Sequence, residues 1–150
     1  MNCILDNSLY ISNTQTANNE MLLRQNSITH IIGFDALLNY YGIHENNVMK
    51  LSYLTNKVNL LEYFHDINLK IDNVILQGGR ILIHCNLGIN SFAITLAFLI
   101  YKYKTNVRDS IKFLHSKNLF IKLDEKFIEK LTYYEYFINK MDVDEEIKFF

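Results

Sequence analysis

The chain has 150 residues, 49% of them hydrophobic, and a formal charge of −1 at pH 7. That length supports one globular domain with a sizeable core, and the near-neutral balance argues against nucleic-acid binding driven by bulk charge. The two cysteines, Cys3 and Cys85, are too few and too far apart for a disulfide framework or a zinc-ligand pair, so a reduced, intracellular and cytoplasmic setting is expected.

In chain order, "MNCILDNSLYISNTQTANNE" lacks the basic start and long apolar core of a signal peptide. Within it, Asn7 to Asn13 reads as a short strand bounded by Asn. "TANNEMLLRQN" reads as one helix, with Thr16 or Asn18 as its cap. Ile28 to Phe34 is a β-branched strand ended by Gly33, and Val48 to Leu54 is a further strand candidate. From Leu60, apolar residues recur at helical spacing as far as "QGG" at Gln77 to Gly79, where Gly supplies a stop.

"RILIHC", a continuous apolar run ending at Cys85, reads as a fully buried strand. Helices are expected at Asn90 to Tyr103, at Val107 to Lys117 and from Asp124 onward. The longest apolar run, Phe92 to Tyr101, is about half the length that spans a bilayer, so no membrane association is expected. No repeat or Gly/Ser linker divides the chain. The expectation is one domain over 1–150, with a core at about 5–140 and a tail at 141–150. That tail, "MDVDEEIKFF", extends the last helix and docks its aromatic end on the same domain, or else contacts another chain.

Strands alternating with helices imply an α/β fold with a central, mostly parallel sheet and helices on both faces. Such a sheet binds its ligand at the C-terminal end of its central strands. "ILIHCNLGINSFA" places a loop around Cys85 there. Amides of a strand–loop–helix turn converge on an anion, and a cysteine nucleophile acts as its thiolate. A phosphate also calls for a cationic clamp, best supplied by Arg, yet no Arg or Lys lies between Arg80 and Lys102.

"GGRILIHCNLGINSFAITLAFLIYKY" resembles the active-site segment of the dual-specificity, cysteine-dependent protein phosphatases, whose signature is His-Cys-x-x-Gly-x-x-Arg. "LDNSLYISNTQTANNEMLLRQNSITHII", "LLEYFHDINLKIDNVILQGG" and "LDEKFIEKLTYYEYF" are similar to that family's opening strand and helix, the helix before the loop, and the last helix. The resemblance implies a dual-specificity phosphatase-like fold, with His84, Cys85, Asn86, Leu87, Gly88, Ile89, Asn90 and Ser91 as the phosphate loop. It also exposes departures. The signature Arg falls at Ser91, and the hydroxyl that assists the cysteine falls at Phe92. The general-acid Asp falls at Leu54, or at Thr55 with one gap, and no carboxylate occurs between Glu45 and Glu62. A family Asn packed near the loop falls at Asp124, which would bring negative charge towards the pocket.

Losing a charge clamp of this kind costs on the order of three powers of ten in rate, and losing a general acid costs roughly 10²–10⁴-fold. Arg24, Arg80 and Arg108, the only arginines, are not placed in sequence to replace the clamp. His30, on an apolar strand, reads as structural, and His44, His65 and His115 show no metal spacing with each other or with Cys or Asp. No metal or cofactor is expected.

On this reading the chain is a pseudophosphatase with Cys85 as a vestigial nucleophile and Ser91, Phe92, Leu54 and Thr55 as degenerate positions: not an enzyme, but a binder of a protein partner. It would compete for a phosphoprotein or an active phosphatase's substrate, scaffold, or assemble as a homodimer. Nucleic acid is disfavoured as a partner. The alternative is weak residual protein tyrosine, serine or threonine phosphatase activity, or RNA 5′-triphosphatase activity, through Cys85. The bias towards Asn, Ile, Lys, Tyr and Phe, with no Pro or Trp, fits an AT-rich source. A virus is one such source, since some viruses carry phosphatases of this family; host cytoplasm or a virion would then be the location.

Overall fold

The computed structural model describes residues 1–34, 40–52, 54, 59–86 and 88–148, with side chains described up to 141. Five strands form one sheet: β1 (Asn2–Leu5), β2 (Leu9–Ser12), β3 (His30–Gly33), β4 (Val48–Lys50) and β5 (Ile81–His84). Their spatial order is β1-β2-β5-β3-β4. Among the described residues, only the β1–β2 pair is antiparallel; β5 lies parallel between β2 and β3, and β4 extends β3. The expected mostly parallel α/β architecture is therefore present.

Alternation along the strands sends side chains to two faces. Leu9, Ile11, Ile32, Ile81 and Ile83 join the larger apolar core, while Tyr10, Ile31 and Leu82 join a smaller one on the other face. The smaller core is covered by α1 (Thr14–Ala17) and α2 (Glu20–Gln25), which contribute Ala17 and Leu23. The larger is covered by α3 (Leu60–Leu76), α4 (Ile89–Tyr103), α5 (Val107–Ser116) and α6 (Glu125–Lys148). Every residue of α4 from Ser91 to Ile100 is buried, which explains its long apolar run as a core helix. Among the described residues, no helix is long and apolar enough to cross a membrane.

Three local expectations are corrected. The single helix expected from Thr16 to Asn26 is two, because Asn13 and Asn19 each cap a separate start: Asn13 Oδ1 accepts from Thr16 N at 2.8 Å and Asn19 Oδ1 from Leu22 N at 3.2 Å. Of the strand expected over Val48 to Leu54, Val48–Lys50 forms a strand, after a 3-10 turn at Glu45–Asn47, and Leu51 N adds a bond to Gly33 O at 2.8 Å. β1 was not anticipated. It forms a hairpin with β2 across a turn in which Asn7 takes φ 59°, and Ser8 N donates to Leu5 O at 3.0 Å. The stop of α3 is as expected: Gly78 adopts φ 81° and Gly79 N returns to Val74 O at 2.9 Å. The helical backbone of α6 continues through the tail as far as Lys148, while the docking of its aromatic end falls outside the described residues.

Candidate active site

The site is built where β5 meets α4. All four residues of β5 are buried at the centre of the sheet, so Cys85, which follows them, emerges at the strand's C-terminal end. Gly88 turns the chain into the helix with φ 80°, a conformation that favours glycine, and an added Cβ there would meet Ile121 Cδ1 at 2.9 Å. Phe92 N then closes the first helical bond onto Gly88 O at 2.9 Å. The N-terminus of a 15-residue helix faces the loop and contributes partial positive charge.

Two groups of Ser91 reach the sulfur. Ser91 Oγ lies 2.8 Å from Cys85 Sγ, a bond in which either side can donate, and Ser91 N donates to the same sulfur at 3.4 Å. Cys85 is 1% exposed and Ser91 fully buried. The expectation that the loop lacks a hydroxyl for the cysteine is thereby corrected. Phe92 points into the core and is itself fully buried, but the preceding residue supplies the hydroxyl from its own position on the helix.

Behind the loop, His84 is fully buried with both ring nitrogens engaged: Nε2 with Tyr40 OH at 2.5 Å and Nδ1 with Thr14 Oγ1 at 3.2 Å. A Cβ at Gly33 would strike Tyr40 OH and lie 2.6 Å from His84 Nε2, so the close approach of β3 to this pair requires glycine. Tyr40 and Thr14 were not singled out by sequence reasoning and Gly33 was read only as the end of a strand, since nothing in their spacing links them to His84. Asn90 Oδ1 accepts from Leu54 N at 2.9 Å, latching the upstream segment to the first turn of α4, and Leu54 is buried. Thr55 and Leu87 lie outside the described residues.

A cleft of about 230 Å³ opens over Cys85. Asn2, Ser12, Asn13, Asn86 and Ser91 give it a polar lining, and Ile11, Leu119 and Ile121 an apolar wall. No Arg or Lys is among the described residues that line it. Arg80 is turned away as expected, with Nη1 donating to Tyr10 OH at 3.2 Å and Asn26 O at 3.4 Å, and Arg24 pairs with Glu20 at 2.7 Å. Asp124 does not bring its charge to the pocket: its Oδ1 accepts from Phe127 N at 2.9 Å, capping α6, and it is not part of the cleft lining. The histidines have structural settings. His65 packs against Tyr101, Tyr134 and Phe137, and His30 bonds Thr29 Oγ1 at 2.7 Å while burial lowers its pKa.

The family profile "Dual specificity phosphatase, catalytic domain" matches residues 9–137. The chain belongs to the dual specificity phosphatase family. Human dual specificity protein phosphatase 18 is 30% identical over 131 residues, covering 86% of this chain and 70% of that protein. A probable rhodanese domain-containing dual specificity protein phosphatase of Dictyostelium discoideum is 28% identical over 138 residues, covering 88% of this chain and 28% of that protein. Among solved structures, human DUSP28 superposes with a TM-score of 0.81 at 14% identity, covering 94% of this chain and 99% of that one. The human tyrosine phosphatase-like serine/threonine/tyrosine-interacting protein gives 0.76 at 25% identity, covering 91% and 96%.

These relationships overturn the expectation that the chain is not an enzyme. Its relatives are phosphatases, and Cys85 occupies the nucleophile's place at the mouth of β5, with Ser91 Oγ against its sulfur. The expectation rested on counting lost side chains. The Ser91 amide, the helix end and the Ser91 hydroxyl, which do not depend on those side chains, are in place.

Proposed function

We propose that the protein is a slow cysteine-dependent phosphatase acting on phosphate monoesters carried by a protein, with Cys85 as its nucleophile. The observation that carries the reading is the double contact of Ser91 with the sulfur, Oγ at 2.8 Å and N at 3.4 Å, at the start of a helix aimed at the loop. Attack of the thiolate on phosphorus forms the P–S bond of a phosphocysteine as the P–O ester bond breaks, and the leaving oxygen keeps the electron pair and takes a proton from water. A second water then attacks phosphorus and gives up its proton to solvent, the P–S bond breaks, and sulfur leaves with its electron pair towards the Ser91 donors. Loop amides and the α4 N-terminus take part of the phosphoryl charge.

The proposal includes a rate penalty. With Ser91 at the family's Arg position, no bidentate fork holds the phosphoryl oxygens, and turnover is reduced by on the order of three powers of ten relative to a clamped site. A protein-borne substrate is favoured over RNA ends because the cleft lining carries no basic side chain among the described residues and the chain as a whole is near neutral. The test is release of nitrophenol from p-nitrophenyl phosphate by the purified protein beside its Cys85→Ser variant. Turnover above the variant is expected, together with a phosphoryl-enzyme trapped by acid quench. Equal rates and no trapped phosphoryl group would refute the proposal.

A further inference from the structure

Resting on the phosphatase reading above, we infer that this site is selective for aryl phosphates, turning over phosphotyrosine and sparing phosphoserine and phosphothreonine. The reason lies in the oxygen that must leave when the P–S bond forms. As the P–O bond breaks, that oxygen keeps the electron pair, and it needs a proton from a nearby acid unless it is stable as an anion. Among the described residues, the polar lining of the cleft apart from Cys85 is Asn2, Ser12, Asn13, Asn86 and Ser91, amides and hydroxyls that do not surrender a proton near neutral pH. The upstream segment offers no carboxylate in its place. It is latched to α4 through Leu54 N and Asn90 Oδ1 at 2.9 Å, and the chain has no carboxylate between Glu45 and Glu62.

The leaving oxygen therefore departs unprotonated and takes its proton from water afterwards. A tyrosine phenol has a pKa of about 10. An aliphatic hydroxyl is far less acidic, close to water itself. The phenolate is the better leaving group by several powers of ten in basicity. With acid assistance that gap is largely levelled; without it the gap appears in the rate.

The wall of the cleft fits the same class. Cys85 is 1% exposed, so the scissile phosphate sits deep, and the group carrying it must reach inward. Leu119 and Ile121, both half-buried, flank the entrance, with Ile121 over Gly88 and Ile11 also facing the cleft. A planar ring is long enough to bridge surface and sulfur, and it buries its faces against these side chains. A serine β-carbon offers neither length nor apolar area.

The experiment compares kcat/KM for one peptide sequence bearing phosphotyrosine, phosphoserine or phosphothreonine, beside a series of aryl phosphates from nitrophenyl to phenyl. A preference for phosphotyrosine of roughly 10²-fold or more is expected, the size of one missing general acid. Within the aryl series, rates should fall as the phenol becomes more basic. The phosphotyrosine rate should also show no falling limb from about pH 7 to 9, since no acid is being titrated away. Ile121→Asn should raise KM for the phosphotyrosine peptide several-fold with kcat held within about twofold, as expected for lost binding that is uniform between ground and transition states. If phosphoserine and phosphotyrosine turn over within about tenfold of each other, and Cys85→Ser abolishes both, the selectivity is wrong and the phosphatase reading stands. If no ester, nitrophenyl phosphate included, turns over above Cys85→Ser, the phosphatase reading itself fails and the selectivity falls with it.

Discussion

Ser91→Ala isolates the feature on which the catalytic reading depends. The substitution deletes one oxygen, 2.8 Å from Cys85 Sγ, and leaves the other local bonds in place. Ser91 N still donates to sulfur at 3.4 Å, and Thr95 Oγ1 still donates to Ser91 O at 2.7 Å. Water cannot easily refill the position, since Ser91 is fully buried and Cys85 is 1% exposed. A hydrogen bond to a charged partner contributes about 1.5–3 kcal/mol, which at about 1.4 kcal/mol per decade is a rate loss of roughly 10- to 150-fold. The loss should appear in both half-reactions, because the same sulfur carries negative charge before it attacks phosphorus and after it leaves. Rapid-quench single turnover resolves the two steps, and alkylation of Cys85 by iodoacetamide reads thiolate reactivity without any phosphate present. If single-turnover rates and alkylation both remain within about twofold of the parent, below the range for such a bond, Ser91 does not assist the nucleophile and the catalytic reading loses its main support.

Gly33→Ala should reduce stability by about 1–3 kcal/mol, lowering Tm by roughly 2–12 °C, because the new methyl would sit 2.6 Å from His84 Nε2; thermal denaturation followed by circular dichroism checks it. Asp72→Asn removes the negative charge from the acceptor of a 2.6 Å bond from Lys102 Nζ, in a pair that is partly solvent-exposed, so a loss of only about 0.5–1 kcal/mol is expected. Lys102 has its pKa raised, first by that hydrogen bond, with burial partly opposing. The pair's contribution is therefore complete below the unfolded lysine value of about 10.4 and is lost as pH rises through the higher folded value. Parent and variant should differ in urea midpoint at pH 8 and converge at strongly alkaline pH. Tyr134 is fully buried, with Asn68 Nδ2 donating to its hydroxyl at 2.9 Å. Burial pushes its pKa up to about 12, against a smaller opposing effect of that bond. Stability should fall as pH rises from the unfolded value of about 10 towards 12, and phenolate absorbance should show a late step that Tyr134→Phe removes.

The parts of this molecule legible in sequence are those where one physical demand dominates. Ile81 to His84 admits only a fully buried strand, and the apolar positions of Leu60 to Leu76 only a helix with one face inward, so both appear as expected. The pair α1 and α2 was read as one helix because local competition decides there. Asn side chains at 13 and 19 satisfy free amides and start new helices, and a periodicity count does not register that. β1 was missed because four residues carry little pattern, although Asn7 at a left-handed turn position was an available hairpin signal. The setting of His84 was not legible at all: Tyr40 and Thr14 are 44 and 70 positions away in the chain, and only the sheet order brings them together.

The hydroxyl at the nucleophile shows why matching residues to signature positions misjudged the site. Aligned as a string, the family's helper falls at Phe92, an apolar side chain, and the function appears lost. On an α-helix successive residues point about 100° apart, so positions 91 and 92 send their side chains in different directions from the first turn of α4. The core claims Phe92, which is fully buried in the main apolar cluster. Ser91 is the residue whose amide and hydroxyl both face Cys85. An Arg here would have to extend past the nucleophile to clamp an oxyanion, whereas a Ser is short enough to bond the sulfur itself. The same substitution that removes the clamp from the substrate thus supplies a partner to the nucleophile, and those are opposite effects on rate. Their sizes differ: about three powers of ten lost with the clamp against one to two gained from a charged hydrogen bond. The balance predicts slow catalysis confined to the least demanding leaving groups, which is a different protein from one with no catalysis at all.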